Sequence, residues 1–166
     1  MEPIVSPNIR VRVPDHFQIG EGSIVDDWCY FSTRVNVGVG SHVANNVSVA
    51  GGPHLQFTMG DYSSLSAGVR VWCASNDFTT DLIAIGGGQL EGDVTLGDYT
   101  GVGANSVVMP GAVIPEGCAV GALSFVPAFS ELEPWTVYAG IPVKPLRGRD
   151  RDSVLGQLVV RPSRSA

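Results

Sequence analysis

Positive charge is scarce in the first 143 residues of this chain, where four arginines stand against fourteen carboxylates, a balance of −10. Such a field repels a polyanion and argues against a nucleic-acid partner. Charged residues of either sign make up only 16% of the chain, against 44% hydrophobic, which excludes a disordered protein. No apolar run approaches the roughly 18 residues of a membrane-spanning helix, so no integral membrane segment is expected. The start, Met1-Glu2-Pro3-Ile4-Val5, lacks a basic stretch followed by an apolar one. No signal peptide is read there, and a cytoplasmic location is the expectation. Cysteine is rare: Cys29, Cys73 and Cys118 lie 44 and 45 residues apart, without zinc or redox-pair spacing. Reduced, buried thiols follow.

What the chain has in quantity is glycine and proline, 21 and 11 in 166 residues. That favours many turns and few long helices. An apolar residue returns every six positions at Val13, Ile19, Val25, Phe31, Val37, Val43 and Val49. It resumes after a four-residue offset at Met59, Leu65 and Val71, and after a longer break at Leu96, Val102, Val108, Ile114, Val120 and Val126. The fifth position of each hexad is nearly always small or β-branched, as at Ser23, Cys29, Ser41, Ser63, Thr100, Ser106 and Ser124. The fourth is Gly or Asn in eight of the sixteen hexads, the residues that tolerate a left-handed corner. Each hexad therefore predicts a short strand and a tight corner, and the chain predicts a parallel β-helix with one narrow apolar core.

Several segments resemble hexapeptide-repeat acyltransferases: Gly103-Ala104-Asn105-Ser106-Val107-Val108-Met109-Pro110-Gly111, Val120-Gly121-Ala122-Leu123-Ser124, and Leu132 through Tyr138-Ala139-Gly140-Ile141-Pro142-Val143-Lys144. Earlier ones, His42-Val43-Ala44, Ala50-Gly51-Gly52, Gly60-Asp61-Tyr62, Leu65-Ser66-Ala67-Gly68 and Ala74-Ser75-Asn76-Asp77-Phe78, resemble one branch of that family. The branch acylates sugars for cell-surface polysaccharides, dTDP-4-amino-4,6-dideoxyglucose among them. The resemblance runs from about residue 19 to 151. It implies an all-β, left-handed parallel β-helix with three hexads per coil, a little over five coils here. One domain is expected over residues 1–166, with coils over 13–131, an inserted loop at 72–93, a final coil at 132–147 and a tail at 148–166. A short helix or a strand would suit 153–160. The implied activity is acyl transfer from a coenzyme A thioester, acetyl-CoA as donor, to an amino or hydroxyl group of a sugar, nucleotide-linked by expectation. A homotrimer and a site without metal are also implied.

Such chemistry needs a base, an oxyanion donor and a groove for the coenzyme arm. Ala104, Ala122 and Gly140 recur every eighteen residues, one coil apart, with Ala67 in the same column. A corner column poor in side chains is a groove, and in the resembled family such a groove takes pantetheine. The switch to positive charge at residue 144 puts Lys144 and Arg147 near its phosphates. Coil counting puts His42 beside the low end of the groove, as the first candidate base, and His54 at the corner carrying the insertions, as the second. His16 is third. Asp77 is a candidate to orient a histidine, and Asn76, counted one coil above His54, a substrate-binding candidate. The segment from Trp72 to Asp93 breaks the repeat; its apolar Leu82-Ile83-Ala84-Ile85 before Gly86-Gly87-Gly88 suggests a lid or a subunit contact. Two other readings compete: a non-catalytic β-helix for assembly, and a γ-type carbonic anhydrase. The second needs three converging histidines, and His42 and His54 are twelve residues apart on different corners.

Overall fold

The computed structural model describes residues 1–77 and 89–160. The Leu82–Gly88 segment, with its expected lid or contact, lies outside the described residues. The hexad period becomes three stacks of short parallel strands, a parallel β-solenoid of about six turns. One face carries Ile4–Val5, Ile24–Val25, His42–Val43, Ser64–Leu65, Gly101–Val102, Ala119–Val120 and Thr136–Ala139, closed at the top by the antiparallel strand Lys144–Gly148. The second face stacks Arg10–Val11, Tyr30–Phe31, Ser48–Ala50, Arg70–Trp72, Val107–Val108 and Phe125–Val126. The third stacks Phe17–Ile19, Arg34–Val37, Gln56–Met59, Val94–Leu96 and Val113–Ile114. Coiling starts at Ile4, and the first coil's core positions are Val5 and Val11, paired with Val25 and Phe31, not Val13. The turn Pro14–His16 then puts Ile19 eight residues after Val11, which shifts the phase by two and hides the first rungs from the hexad count.

Every hexad-leading residue from Val25 to Val126 is buried. Each such Val, Leu or Phe contributes about 1.5–3 kcal/mol relative to exposure. The fifth positions are small for a second reason: their hydroxyls bridge rungs. Ser23 Oγ donates to Gly38 O and accepts from Ser41 N; Ser41 Oγ donates to Gly60 O and accepts from Ser63 N; Ser63 Oγ donates to Gly97 O and accepts from Thr100 N. Ser106 and Ser124 repeat the pattern up to Gly140 N. Among the described residues no buried side-chain polar atom lacks a partner, as a narrow core with low dielectric requires.

The corners hold left-handed residues, and not only Gly and Asn. Trp28, Tyr62, Tyr99, Leu123, Phe129 and Trp135 all have φ between 52 and 64°. Bulky residues there are strained, and packing between coils compensates. Gly40 leaves room for the Tyr62 ring, Tyr62 stacks on Tyr99 at 6.0 Å, and Tyr99 on Trp135 at 6.1 Å over Gly117.

Two features leave the solenoid. Ala74–Asn76 pairs antiparallel with Gln89–Glu91, a ribbon at the base of the inserted segment. At the C-terminus, residues Arg151–Val160 form α1. Arg149 ties its start down by donating to the carbonyls of Tyr99, Gly117 and Cys118, and the Arg151 guanidinium lies 5.4 Å over the Trp135 ring. No helix among the described residues is long and apolar enough to cross a membrane.

Candidate active site

The strand pairings settle which side chains share a column. On the first face His42 is paired with Ile24 below and Ser64 above, followed by Gly101, Ala119 and Val137. These positions alternate with the buried Val43, Leu65, Val102, Val120 and Tyr138, so they face outward. Above His42 the outer surface is therefore nearly bare, and a Cβ on Gly101 would meet nothing within 4 Å.

The corner ending these strands carries the eighteen-residue column. Leu123 N donates to Ala104 O, Asn105 N to Ala67 O and Gly68 N to Asn45 O, placing Asn45, Ala67, Ala104, Ala122 and Gly140 one above another. The small residues stack one coil apart from Ala67 to Gly140, and below them the same position is held by Asn45, Asp27 and Asn8. Lys144 pairs with Ala139 and Arg147 with Val137 at the top of the same face; both are exposed, with no ion-pair partner among the described residues.

His42 Nε2 lies 2.8 Å from Asp26 Oδ2, with both side chains nearly half exposed. Asp26 follows the strand Ile24–Val25, directly below His42–Val43, so the solenoid itself brings the two together. With the carboxylate ionised, Nε2 carries the proton and Nδ1 keeps a lone pair, the state a general base needs. Asp26 also lines a cleft of about 400 Å³ at the foot of the small column, beside Asp27, Asn45 and the exposed Trp28. His42 lines a different cavity, of about 280 Å³, with Ser64, Tyr62, Tyr99 and three residues of α1.

His54 Nε2 meets Glu91 Oε2 at 3.1 Å. Glu91 is the residue one coil above it; Asn76 instead stands opposite Gln89 in the ribbon, because the chain leaves the solenoid at Ala74. Asp77 follows Asn76 as the last described residue before position 78. His16 ends a short exposed 3-10 turn, Pro14–His16. The carboxylates that face the two candidate bases are thus Asp26 and Glu91, neither singled out from the sequence. The signal for Asp26 is present: it sits two residues past Ile24, which is one coil, eighteen residues, before His42.

Among the described residues no group of three or more His, Cys, Asp or Glu gathers to hold a metal. The three thiols are buried and unpaired, and burial pushes each above its usual pKa, Cys73 to about 12. They stay protonated and are structural.

No family model matches the chain. It is 28% identical over 158 residues to the dTDP-4-amino-4,6-dideoxy-D-glucose acyltransferase of Escherichia coli, covering 90% of this chain and 80% of that protein. Among solved structures it superposes on AntD, an N-acyltransferase from Bacillus cereus in complex with dTDP and 3-hydroxybutyryl-CoA, with a TM-score of 0.85, 28% identity, and 95% of this chain and 86% of that one covered. The fold alone is shared with a maltose O-acetyltransferase from Clostridium difficile 630, at a TM-score of 0.69 and 21% identity over 84% of this chain and 73% of that one. In sequence along most of its length and in its β-helix, the likeness of this chain is to the hexapeptide-repeat acyltransferases, and within them to the dTDP-4-amino-sugar branch.

Proposed function

We propose that the protein acylates the amino group of a nucleotide-linked sugar from a coenzyme A thioester, with acetyl-CoA as reference donor. It is an acyltransferase, and the reading is supported by its likeness to enzymes of that activity over nearly the whole chain. The observation that carries the reading onto particular residues is the His42–Asp26 pair at the foot of a bare strand face.

In this reading His42 Nδ1 takes the proton of the attacking amine, or hydroxyl if the acceptor is an alcohol. The new C–N bond forms as the thioester C–S bond breaks, and the imidazolium returns its proton to the leaving sulfur. Asp26 holds the ring and stabilises its charged form. The coenzyme arm runs along Ala104, Ala122 and Gly140, and Lys144 and Arg147 meet its phosphates. His54 with Glu91 is the second candidate base, Asn76 in the ribbon is a candidate for binding the acceptor, and Asp77 a candidate for orienting a histidine. The protein works as a homotrimer in the cytoplasm, supplying an acylated sugar to cell-surface polysaccharide synthesis.

The test is direct. Purified protein is incubated with acetyl-CoA and dTDP-4-amino-4,6-dideoxyglucose, free thiol is followed, and product mass is measured. An acetylated sugar formed with one thiol per turnover supports the reading; thiol release without acylated sugar contradicts it.

A further inference from the structure

The cavity at His42 has one wall that the solenoid does not supply. Its floor is His42, Ser64 and the stacked pair Tyr62 and Tyr99. Its other side is Arg149 together with Val154, Gln157 and Leu158 of α1. The helix is not loosely placed: Arg149 donates to three solenoid carbonyls and Arg151 caps the ring stack at Trp135. The stack of Tyr62, Tyr99 and Trp135, held in left-handed corners, therefore serves as the seat on which α1 docks beside the candidate base.

We propose that α1 is the specificity-determining wall of the acceptor subsite, and that the sugar ring is held between it and the His42 face. This rests on the acyltransferase reading above. At about 280 Å³ the cavity falls at the small end of ligand sites, enough for one sugar ring but not for a whole nucleotide sugar. Its lining is divided. Val154 and Leu158 offer an apolar edge, while Ser64, Gln157 and His42 offer hydrogen-bonding groups. That division suits a deoxy sugar, which presents a methyl group on one side and polar substituents on the other. The lining contains one fixed charge, the Arg149 cation, and no carboxylate. Carboxylates stand behind the lining, Asp26 against His42 and Asp61, Asp98 and Glu116 around Tyr99, and the Arg149 cation in their midst complements an acceptor whose remainder is a diphosphate. The cleft lined by Asp26, at the foot of the small column, shares no lining residue with this cavity, so the acceptor ring and the coenzyme arm have separate places that meet at His42.

The experiment compares Val154→Trp and Leu158→Ala with wild type, using acetyl-CoA with dTDP-4-amino-4,6-dideoxyglucose and with its 6-hydroxylated counterpart. Val154→Trp fills the cavity and is expected to raise the acceptor KM roughly tenfold or more. Coenzyme A affinity, measured by calorimetry, stays unchanged. Leu158→Ala is expected to erase most of the wild-type preference for the 6-deoxy sugar in kcat/KM, which tests the wall even if Val154→Trp fails to fold. Unchanged acceptor KM and unchanged sugar preference in folded variants would overturn the proposal and leave the acyltransferase reading standing. A wild type that neither binds nor acylates either sugar would overturn both.

Discussion

His42 Nε2 and Asp26 Oδ2 lie 2.8 Å apart across adjacent rungs of one strand face, and each residue lines a different cleft. The contact follows from the solenoid register alone, and a neutral His42 would donate from Nε2 to the carboxylate. Replacing Asp26 by Asn keeps the shape but lets an amide N–H face Nε2, which drives the ring proton to Nδ1. Asp26→Asn is therefore expected to lower kcat by between roughly tenfold and the 10⁴-fold loss known for a misoriented catalytic histidine, with coenzyme A affinity unchanged. Steady-state kinetics with calorimetry checks this; an unaltered kcat would strip Asp26 of its positioning role.

A bulky side chain in the small column should block the coenzyme arm. Ala122 is exposed and stands between Ala104 and Gly140, so Ala122→Trp can project outward without entering the core. Coenzyme A affinity is expected to fall by about tenfold or more, since the arm loses its channel, while far-UV circular dichroism stays as in wild type. Equal affinity in the variant would remove the groove from this corner.

The thiols give a pH prediction. Burial raises the pKa of Cys29, Cys73 and Cys118 above the value of 9.0 for a free thiol, Cys73 to about 12. Between those values the unfolded chain has lost protons that the folded chain keeps. Stability is then full below pH 9 and falls as pH rises from about 9 toward 12. Urea titrations from pH 7 to 11 should show a declining midpoint, and a thiol reagent at pH 8 should react only once denaturant is added. Rapid labelling of the native protein would contradict the placement of these cysteines.

Much of this was legible in the chain because one constraint repeats. Val43, Leu65, Val102 and Val120 must each fill the same narrow core, so the period survives both interruptions. The small column was legible for the same reason. The corners were only half legible: Gly40 and Asn105 advertise a left-handed backbone, whereas Tyr62, Tyr99 and Trp135 take it against their own preference, through stacking that involves residues 36 or 37 apart in sequence. The His54–Glu91 pair was hidden because its partner one coil away lies beyond the inserted segment, whereas Asp26 lies a plain coil below His42 and needed only the eighteen-residue step from His42 to Ile24. The docking of α1 left no periodic signal at all, since it depends on Arg149 reaching carbonyls as far back as Tyr99.

The corners of the solenoid leave apolar side chains in water. Leu123 and Ile141 are 67% and 78% exposed near the top of the groove corner, and Trp28 is 65% exposed near its foot. Exposed residues of this size mark contact surfaces, and a cyclic trimer covers the same patch on every copy. Light scattering is expected to give three times the 17.4 kDa chain mass; a 17.4 kDa particle at micromolar concentration would contradict the trimer.

The central claim is that His42 is the base of an acyl transfer. Its most direct test is steady-state kinetics of His42→Ala beside His54→Ala, with acetyl-CoA and the 4-amino sugar nucleotide, folding confirmed by circular dichroism. The account predicts that His42→Ala loses roughly 10²–10⁴-fold in kcat, the usual contribution of a positioned base, while His54→Ala stays within a few-fold of wild type. A nearly wild-type His42→Ala beside an inactive His54→Ala would contradict it, and move the chemistry to the corner where His54 meets Glu91.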